Sequence, residues 1–351
     1  MFTDVPGNTP LQPLPADYAP FGGAQWFVIP DGPDAGKKLF FYDCVVGDGE
    51  PQATFLFVHG NPESSLTYRR IVRTMAENTA GAIRIVALDH IGFGLSDRAD
   101  FEMVDMHHAS NLGQLVAALD LTGITLVIHD WGGAIGTGAM LGMPDRVAAL
   151  ALMNTTVFPM PKSGLVYPRF PVPFLLPWTY LGHVVPDFLW QWIPPMVMFS
   201  PGNRRDFVFR HIPDFFFRAI AGRLTEEEKL YRRMFQPRAN ARASRRHVKQ
   251  TGVWGHGYAY RDKRLGMQSN HRFYLDIQNR LVPGWRDRKI PARAFFGTWD
   301  PCGKAEVQLQ WLEALPQLAG HMHRFDGVGH FVEEHRPGYI GRELLKMHDL
   351  L

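Results

Sequence analysis

The fold of this chain is decided by residues 124–134, which read Ile-Thr-Leu-Val-Ile-His-Asp-Trp-Gly-Gly-Ala. The β-branched and apolar residues Ile124–Ile128 predict a buried strand, and the pattern over Gly132–Leu141 predicts a helix. A residue in the sharp turn between a strand and a helix is held exposed at the top of the sheet, and the paired glycines let the helix start close to the strand. Asp130 occupies this turn, so we predict that it carries chemistry.

On both sides of this stretch, short β-branched and aromatic runs alternate with longer helical patterns. The predicted strands are Thr54–Val58, Ile83–Leu88, Ile124–Ile128, Val147–Met153, Ala292–Thr298 and His321–Phe325. The predicted helices are Leu66–Glu77, Asp105–Leu121, Gly132–Leu141, Lys304–Leu315 and Tyr339–Leu350. The alternation predicts an α/β fold, with a mostly parallel central sheet and helices on both faces. Two earlier runs, Trp26–Pro30 and Lys38–Val46, predict an antiparallel lead-in hairpin.

The alternation stops after the strand Val147–Met153 and resumes only near the end of the chain. Residues 158–202 are apolar and rich in proline, and residues 203–250 are polar and rich in arginine. We therefore predict one α/β core in two parts, 1–157 and 289–351, interrupted by a largely helical cap over 158–288.

Composition limits the environment and the partners of the chain. The 351 residues are 46% hydrophobic, which is enough for a large core, and the net charge of +3 does not argue for nucleic acid. Cys44 and Cys302 are far apart, so we expect no disulfide framework and a cytoplasmic location. No metal-ligand spacing or dinucleotide fingerprint is present, so neither a metal nor a cofactor is predicted.

The apolar stretch 157–201 contains too many prolines for a spanning helix, so no transmembrane segment is predicted. The arginines of 203–250 are expected to coat solvated faces. Peripheral contact with an anionic membrane surface is the alternative. The sequence leaves the oligomeric state open.

Three polar residues follow three separate predicted strands. Asp130 follows one strand, Asp300 lies in Gly-Thr-Trp-Asp-Pro after another, and His330 lies in Gly-Val-Gly-His after a third. The carboxyl ends of parallel strands share one edge of a sheet, so the three loops should converge there. An Asp-Pro pair also favours a simple turn. The chain order of nucleophile, acid and histidine is that of α/β-hydrolases, which makes this the expected fold.

An aspartate in this strand–helix turn, the nucleophile elbow, permits a different reaction from a serine at the same place. A carboxylate can displace a leaving group from a saturated carbon, which gives an alkyl ester on the enzyme. His330 would then deprotonate the water that attacks this ester, while Asp300 orients the imidazole. We therefore predict a hydrolase that works through a covalent aspartyl-alkyl ester, with Asp130, His330 and Asp300 as catalytic residues.

Four segments together resemble the haloalkane dehalogenase family of α/β-hydrolases. They are His59–Pro62, Asp89–Asp97, His129–Gly133 and Gly329–Phe331. The resemblance covers roughly residues 25–157 and 289–351. It implies that the backbone N–H groups of Asn61 and Trp131 form the oxyanion hole. It also implies that the side chains of the same two residues bind the leaving halide of a small hydrophobic substrate.

The resemblance does not decide which reaction of the related enzymes this chain catalyses. Some subgroups place a glutamate after the strand that ends at Met153, but this chain has Asn154-Thr155-Thr156, which leaves Asp300 as the acid. Asn61 combined with Asp300 resembles the third dehalogenase subgroup, which is close to the bacterial β-lactone decarboxylases of olefin biosynthesis. Hydrolysis of a haloalkane to an alcohol and a halide is our first expectation, and decarboxylation of a hydrophobic β-lactone is the second.

Two further alternatives are open. An epoxide hydrolase has the same kind of elbow but takes acid groups, typically two tyrosines, from the cap, and usually carries an aromatic residue at the position of Asn61. The candidate tyrosines are Tyr167, Tyr180, Tyr231, Tyr258, Tyr260 and Tyr274. A non-catalytic binding module on the same fold is disfavoured, because a receptor has no need for both Asp130 and His330.

Overall fold

The computed structural model describes residues 1–13, 15, 17–172 and 176–351. The strands are β1 (Phe2–Thr3), β2 (Ala24–Val28), β3 (Lys38–Val46), β4 (Ala53–Val58), β5 (Ile83–Leu88), β6 (Ile124–His129), β7 (Val147–Met153), β8 (Pro171–Val172), β9 (Leu176–Pro177), β10 (Ala259–Asp262), β11 (Gly266–Ser269), β12 (Ala292–Gly297) and β13 (Met322–Phe325).

The helices are α1 (Arg69–Asn78), α2 (Asp105–Ala118), α3 (Gly132–Met140), α4 (Trp178–Val184), α5 (Asp187–Trp190), α6 (Ile193–Met198), α7 (Arg204–Asp206), α8 (Ile212–Ile220), α9 (Glu226–Met234), α10 (Arg238–Gln250), α11 (His271–Leu281), α12 (Ala305–Ala314), α13 (Val332–His335) and α14 (Pro337–Lys346). Short 3₁₀ turns occupy Ser65–Tyr68, Pro144–Arg146, Tyr167–Arg169, Thr251–Val253, Pro301–Gly303 and Pro316–Leu318. π-Helical turns occupy Phe207–His211 and Val282–Arg286.

Nine strands form the main sheet, in the order β1-β2-β3-β5-β4-β6-β7-β12-β13. The pairings from β5 through β13 are parallel, whereas β1, β2 and β3 pair antiparallel at one edge. The predicted mostly parallel sheet and its lead-in hairpin are therefore confirmed. The register pairs Val58 with Ile128 and His129 with Met153, so the carboxyl ends of β4, β6 and β7 lie level at one edge.

The core strands read as nearly continuous apolar runs because both faces of the sheet are buried. Along β4, Phe55 and Phe57 point into one hydrophobic cluster, whereas Leu56 and Val58 point into the other. Side chains alternate between the two faces of a strand, so a strand covered by helices on both sides has no solvent-facing position to fill with polar residues.

Residues 158–288 lie between β7 and β12 and are called the inserted segment below. It contains α4 to α11 and two small two-stranded sheets, β8–β9 and β10–β11, which the sequence did not predict. None of its described strands joins the main sheet. Its boundaries stay a prediction, and residues 173–175 of it lie outside the described residues. Within the described ranges, the helices are all too short or too polar to cross a bilayer.

Candidate active site

Asp130 lies in the turn between β6 and α3 with a φ of 49°. This left-handed conformation is unfavourable for a residue with a Cβ, and such strained positions are common at functional sites. The turn is tight because a Cβ on Gly132 would lie 2.1 Å from the carbonyl oxygen of Val58. The Oγ1 of Thr155 donates to the carbonyl oxygen of Asp130 over 2.6 Å and helps to hold the turn.

The structure brings the three predicted catalytic side chains together. Nε2 of His330 lies 3.1 Å from Oδ1 of Asp130, and Nδ1 of His330 lies 2.9 Å from Oδ2 of Asp300. The other oxygen of Asp300 accepts a 2.7 Å hydrogen bond from the backbone N–H of Cys302, which fixes the carboxylate. This is the hydrogen-bonded order of nucleophile, base and orienting acid.

Burial and ion pairing shift the pKa values of Asp130 and His330 in opposite directions. Burial by itself raises the pKa of Asp130, but the hydrogen bond and charge of His330 outweigh it and hold that pKa below its usual value. Burial lowers the pKa of His330, but the charge of Asp300 and the contact with Asp130 raise it well above the ordinary value. The resting pair is therefore a carboxylate beside an imidazolium.

The two oxygens of Asp130 have different surroundings. The backbone N–H of Asn61 donates to Oδ2 over 2.7 Å, whereas Oδ1 contacts His330. Gly60 permits this approach, since a Cβ there would lie 2.4 Å from Oδ2 and 2.7 Å from the backbone nitrogen of Trp131. Both predicted oxyanion donors are thus next to the nucleophile, and the Asn61 N–H already contacts its carboxylate.

The side chains of the two predicted leaving-group ligands differ in their placement. The Asn61 amide is buried, faces the cavity beside Asp130, and neither its oxygen nor its nitrogen has a hydrogen-bond partner among the described residues. The Trp131 indole stacks on Trp254 with 4.0 Å between ring centroids and an angle of 11°. Trp131 is not among the described lining residues of the cavity. Asn61 is therefore the more directly placed of the two.

An apolar cavity ends at the predicted catalytic residues. Asn61, Asp130, Asp300 and His330 form its polar end. Most of the remaining wall is aromatic or aliphatic and includes Phe170, Trp178, Val197 and Phe207 from the inserted segment. A cavity with one small polar end suits an apolar molecule with a single reactive group.

Asn154 is a residue of the site whose role the sequence did not suggest. Its Nδ2 donates to the carbonyl oxygens of Gly329 and His330 over 2.9 and 2.8 Å, and its Oδ1 accepts from the backbone N–H of Gly297 over 3.0 Å. It has a φ of 31°, which an asparagine tolerates better than most residues. Asn154 thus ties the loop that carries the catalytic histidine to the end of β12.

A fully buried ionisable cluster lies behind His330 and was not predicted. Nδ1 of His129 lies 2.6 Å from Oε1 of Glu63, and its Nε2 lies 3.0 Å from the carbonyl oxygen of His330. Oε2 of Glu333 lies 3.6 Å from the same Nε2, and Oε1 accepts from Thr67 over 2.9 Å. All three ionisable residues flank motifs quoted above, but nothing in the sequence shows that they meet.

Ligand-type atoms of Glu63, His129 and His330 lie within 4.8 Å of one another, as a metal site would require. Both ring nitrogens of His330, however, already contact the carboxylates of Asp130 and Asp300. A metal ion would have to break these contacts, so the geometry does not favour a metal site here.

This cluster predicts how stability depends on pH. Burial lowers the pKa of His129, but the charges of Glu333 and Glu63 outweigh it and raise that pKa from 6.5 to about 9. Burial raises the pKa of Glu333 from 4.5 to about 8. The stability that protonated His129 gives to the folded state is fully present below pH 6.5 and is lost as the pH rises through 9. Burial of Glu333 costs the folded state an increasing amount of stability as the pH rises from 4.5 to 8. The two groups are coupled, because the charge of Glu333 is the main cause that raises the pKa of His129. Together they hold extra protons in the folded state at neutral pH, so stability should fall as pH rises.

We expect the free energy of unfolding to fall by ~1.4 kcal/mol per pH unit for each proton released between pH 7 and 8.5, measured by denaturant titration. Glu333→Gln should flatten this slope, whereas the exposed-site control Glu313→Gln should leave it unchanged. A wild-type stability that is flat or rises over this range would contradict the assignment.

A nucleophile at a strand–helix elbow, joined by a histidine and an acid from two further strand ends, defines the hydrolase class built on a mostly parallel sheet. A family profile described as alpha/beta hydrolase fold matches residues 53–336, and the chain belongs to this family. The predicted fold class is confirmed.

Named relatives agree with the predicted resemblance. A cis-3-alkyl-4-alkyloxetan-2-one decarboxylase of Shewanella oneidensis is 38% identical over 132 residues, which is 36% of this chain and 39% of the relative. A haloalkane dehalogenase of Mycolicibacterium smegmatis is 38% identical over 146 residues, which is 40% of this chain and 42% of the relative. The matched part therefore spans less than half the length of these curated relatives.

Solved structures show the same fold over almost the whole chain. The tetrameric haloalkane dehalogenase DpaA from Paraglaciecola agarilytica NO2 superposes with a TM-score of 0.63, covering 97% of each chain at 19% sequence identity. At this identity the likeness is one of fold, and the reaction has to be argued from the site itself.

Proposed function

We propose that this protein displaces a leaving group from an alkyl carbon through a covalent ester on Asp130, with a haloalkane as the first substrate class. The observation that carries the proposal is the arrangement around Asp130 at the end of an apolar cavity. One carboxylate oxygen is held by the Asn61 N–H, and the other lies 3.1 Å from His330 Nε2. A serine hydrolase has no such carboxylate at the elbow.

In the first step, Oδ1 of Asp130 attacks the carbon and the halide leaves with its bonding electrons. In the second, His330 takes a proton from water, which attacks the carboxyl carbon of Asp130. The negative charge of the tetrahedral intermediate then develops on Oδ2, the oxygen that the Asn61 N–H already contacts. Collapse breaks the bond between the carboxyl carbon and Oδ1, and the imidazolium returns its proton to this departing oxygen, so the alcohol leaves. The carboxylic acid left on Asp130 then loses its proton to solvent, which restores the carboxylate. Asp300 stabilises the imidazolium formed in between.

The free amide of Asn61 supports an anionic leaving group. A buried amide without a partner is costly, so its presence at the cavity end indicates that a ligand satisfies it. An amide N–H and an indole N–H are neutral donors, and such donors bind a departing anion without competing as nucleophiles. Their bonds strengthen as charge develops on the leaving atom, which lowers the barrier of the first step.

Asn61→Ala and Trp131→Phe should each slow the first step roughly ten- to a hundredfold. Each removes one charge-assisted hydrogen bond, typically worth ~1.5–3 kcal/mol, and each 1.36 kcal/mol corresponds to about tenfold in rate. The measurement is single-turnover bromide release from a 1-bromoalkane, together with bromide binding followed by tryptophan fluorescence.

Trp285→Phe is the matched control, because Trp285 is a buried tryptophan whose indole N–H has no partner among the described residues and which, unlike Trp131, is not the neighbour of Asp130 in the chain. It should leave bromide release unchanged. If both Asn61→Ala and Trp131→Phe release bromide at the wild-type rate, the side chains of Asn61 and Trp131 do not bind the leaving group.

A β-lactone is the second candidate substrate, favoured by the decarboxylase relative and by the free Asn61 amide, which can equally bind a departing carboxylate. Here Oδ1 of Asp130 would attack the ring carbon that bears the ring oxygen, and that C–O bond would break. Loss of CO2 would then form the alkene as the bond to Asp130 breaks. This sequence consumes no water, so it does not need His330 as a base.

Epoxide opening receives less support from the placement of the candidate tyrosines. Of the six, only Tyr167 is among the described lining residues of the cavity, and its hydroxyl lies 3.4 Å from Sγ of Cys302. Tyr274 donates to Asp105 and Tyr260 to the carbonyl oxygen of Glu102, whereas Tyr180 is exposed. A pair of tyrosines converging on the end of the cavity is absent among the described residues.

One substrate panel tests the proposal. Purified protein is incubated with 1-bromoalkanes, long-chain β-lactones and terminal epoxides, and bromide, alkene and diol are measured. Bromide or alkene formation that depends on Asp130 supports displacement at alkyl carbon. Diol formation alone would replace it with epoxide hydrolysis, and the absence of all three products would refute it.

A further inference from the structure

The inserted segment exposes large apolar side chains on the outer face of one helix. Phe217 and Ile220 of α8 are 67% and 89% exposed, and Phe209 in the preceding π-helical turn is 76% exposed. Phe215 of the same helix is fully buried, so α8 packs by one face and presents the other to its surroundings. We call Phe209, Phe216, Phe217 and Ile220 the apolar stripe. Scattered apolar residues are ordinary on a protein surface, whereas a row of four large ones is a candidate contact face.

The stripe continues into a groove on the neighbouring helices. Leu189, Trp192 and Ile193 from the α5–α6 region line one side of this groove, and Phe216 and Ile220 line the other. The apolar face therefore extends from α8 onto α5 and α6.

Positive charge lies at both ends of the stripe. Arg205 precedes Phe209 by four residues on the same helical run, and Arg223 follows Ile220 by three. Both are exposed, and neither makes an ion pair with the part of the chain that the structure describes. Other arginines of the segment are ion-paired: Arg218, Arg242, Arg245 and Arg246.

The acidic residues on the helical run that carries the stripe are ion-paired. Asp206 lies 3.3 Å from Arg210, and Asp214 lies 2.7 Å from Arg218. A third cation, the guanidinium of Arg232, lies 3.7 Å from the ring centroid of Trp192 at the groove. The charged side chains named here that have no carboxylate partner in the described part of the chain, Arg205, Arg223 and Arg232, are therefore all cationic.

We propose that the apolar stripe, with Arg205 and Arg223 at its ends, docks the protein on the surface of an anionic lipid bilayer. Aromatic and aliphatic side chains of an amphipathic helix lie at the boundary of headgroups and acyl chains, while arginines bind lipid phosphates. An anionic surface satisfies both ends of the stripe at once. A two-fold pairing of α8 with a second copy would instead bring Arg205 of one chain against Arg223 of the other, which like-charge repulsion opposes.

The groove beside the apolar stripe and the cavity are lined by residues of the same elements. Val197 of α6 lines the cavity while Ile193 of the same helix lines the groove, and Phe207 lines the cavity two residues before Phe209. If the proposed function is correct, an apolar substrate dissolved in the bilayer would reach the cavity through this part of the segment. Docking itself does not depend on the reaction, and its test uses no substrate.

The test is cosedimentation of the full chain with vesicles of phosphatidylcholine alone and of equimolar phosphatidylcholine and phosphatidylglycerol. The wild type should bind the anionic vesicles, and added salt should weaken this binding. Phe217→Ser/Ile220→Ser and Arg205→Glu/Arg223→Glu should each weaken it at least about tenfold. The replaced side chains are exposed, so circular dichroism should show unchanged folding.

Two control pairs on other surfaces separate docking from general effects. Met267→Ser/Leu275→Ser removes apolar residues that are 69% and 59% exposed, and Arg272→Glu/Arg280→Glu on α11 makes the same change in net charge. Both should bind like the wild type. Equal weakening by the control pairs, no binding of the wild type to anionic vesicles, or a dimer dispersed by Phe217→Ser/Ile220→Ser in light scattering would overturn the proposal.

Discussion

Asp130→Ala is expected to abolish turnover, with a loss on the order of 10⁴-fold or more, because residues of a triad act as a unit. The substitution removes the only carboxylate in contact with both His330 and the Asn61 N–H within the described chain. The measurement is steady-state product formation with the best substrate of the panel. Single-turnover analysis should detect no covalent intermediate. Activity within tenfold of the wild type would remove Asp130 from the role.

A control is needed because Asp130 also has an unusual backbone conformation. Asp349 has a φ of 54°, close to the 49° of Asp130, and lies exposed near the end of the chain. Asp349→Ala therefore makes the same chemical change at a similar φ without touching the site. It should keep full activity. If both variants lose activity in proportion to their loss of folded protein, backbone strain and not chemistry explains the result.

His330→Phe is expected to stop the reaction after its first step when the substrate is a haloalkane. The ester on Asp130 should form, release about one equivalent of bromide, and persist, because no other imidazole contacts the nucleophile among the described residues. Mass spectrometry should find the alkyl adduct on the peptide that contains Asp130. Steady-state turnover should fall on the order of 10³-fold or more.

The same variant separates the two candidate reactions. Alkene formation from a β-lactone consumes no water, so it should survive His330→Phe far better than haloalkane hydrolysis. His321→Phe, at an exposed histidine before β13, is the matched control and should leave both reactions intact. Bromide release without an adduct on the Asp130 peptide would contradict the two-step scheme for haloalkanes.

The pKa of His330 should change during the cycle. In the resting protein, Asp300 and Asp130 together raise that pKa. Once Asp130 becomes a neutral ester, its contribution disappears and the pKa falls toward the value set by Asp300 and by burial. The histidine is thus best prepared to act as a base after the ester has formed. The charge of His129 behind it opposes protonation further.

The fold class and the meeting of the three predicted catalytic side chains could be predicted from the sequence because both depend on local patterns. Strand, elbow and helix are each encoded by neighbouring residues, as in residues 124–134. The parallel order of the strands then brings their carboxyl ends to one edge, so Asp130, Asp300 and His330 meet wherever the strands pair in this order. Irregular contacts of the inserted segment, such as its two small sheets, have no such periodicity and were missed.

The sequence by itself determined the hydrolase fold and the edge of the sheet where Asp130, Asp300 and His330 lie, since short motifs fix where each side chain leaves the sheet. Only the tertiary structure decided what surrounds them. Thr67 and Glu333 are 266 positions apart and yet share a hydrogen bond behind the catalytic histidine. Whether a charged residue is buried depends on packing from every side, which no local pattern records. The stacking of Trp131 on Trp254 and the free Asn61 amide are decided in the same way, by elements distant in the chain that close around the site.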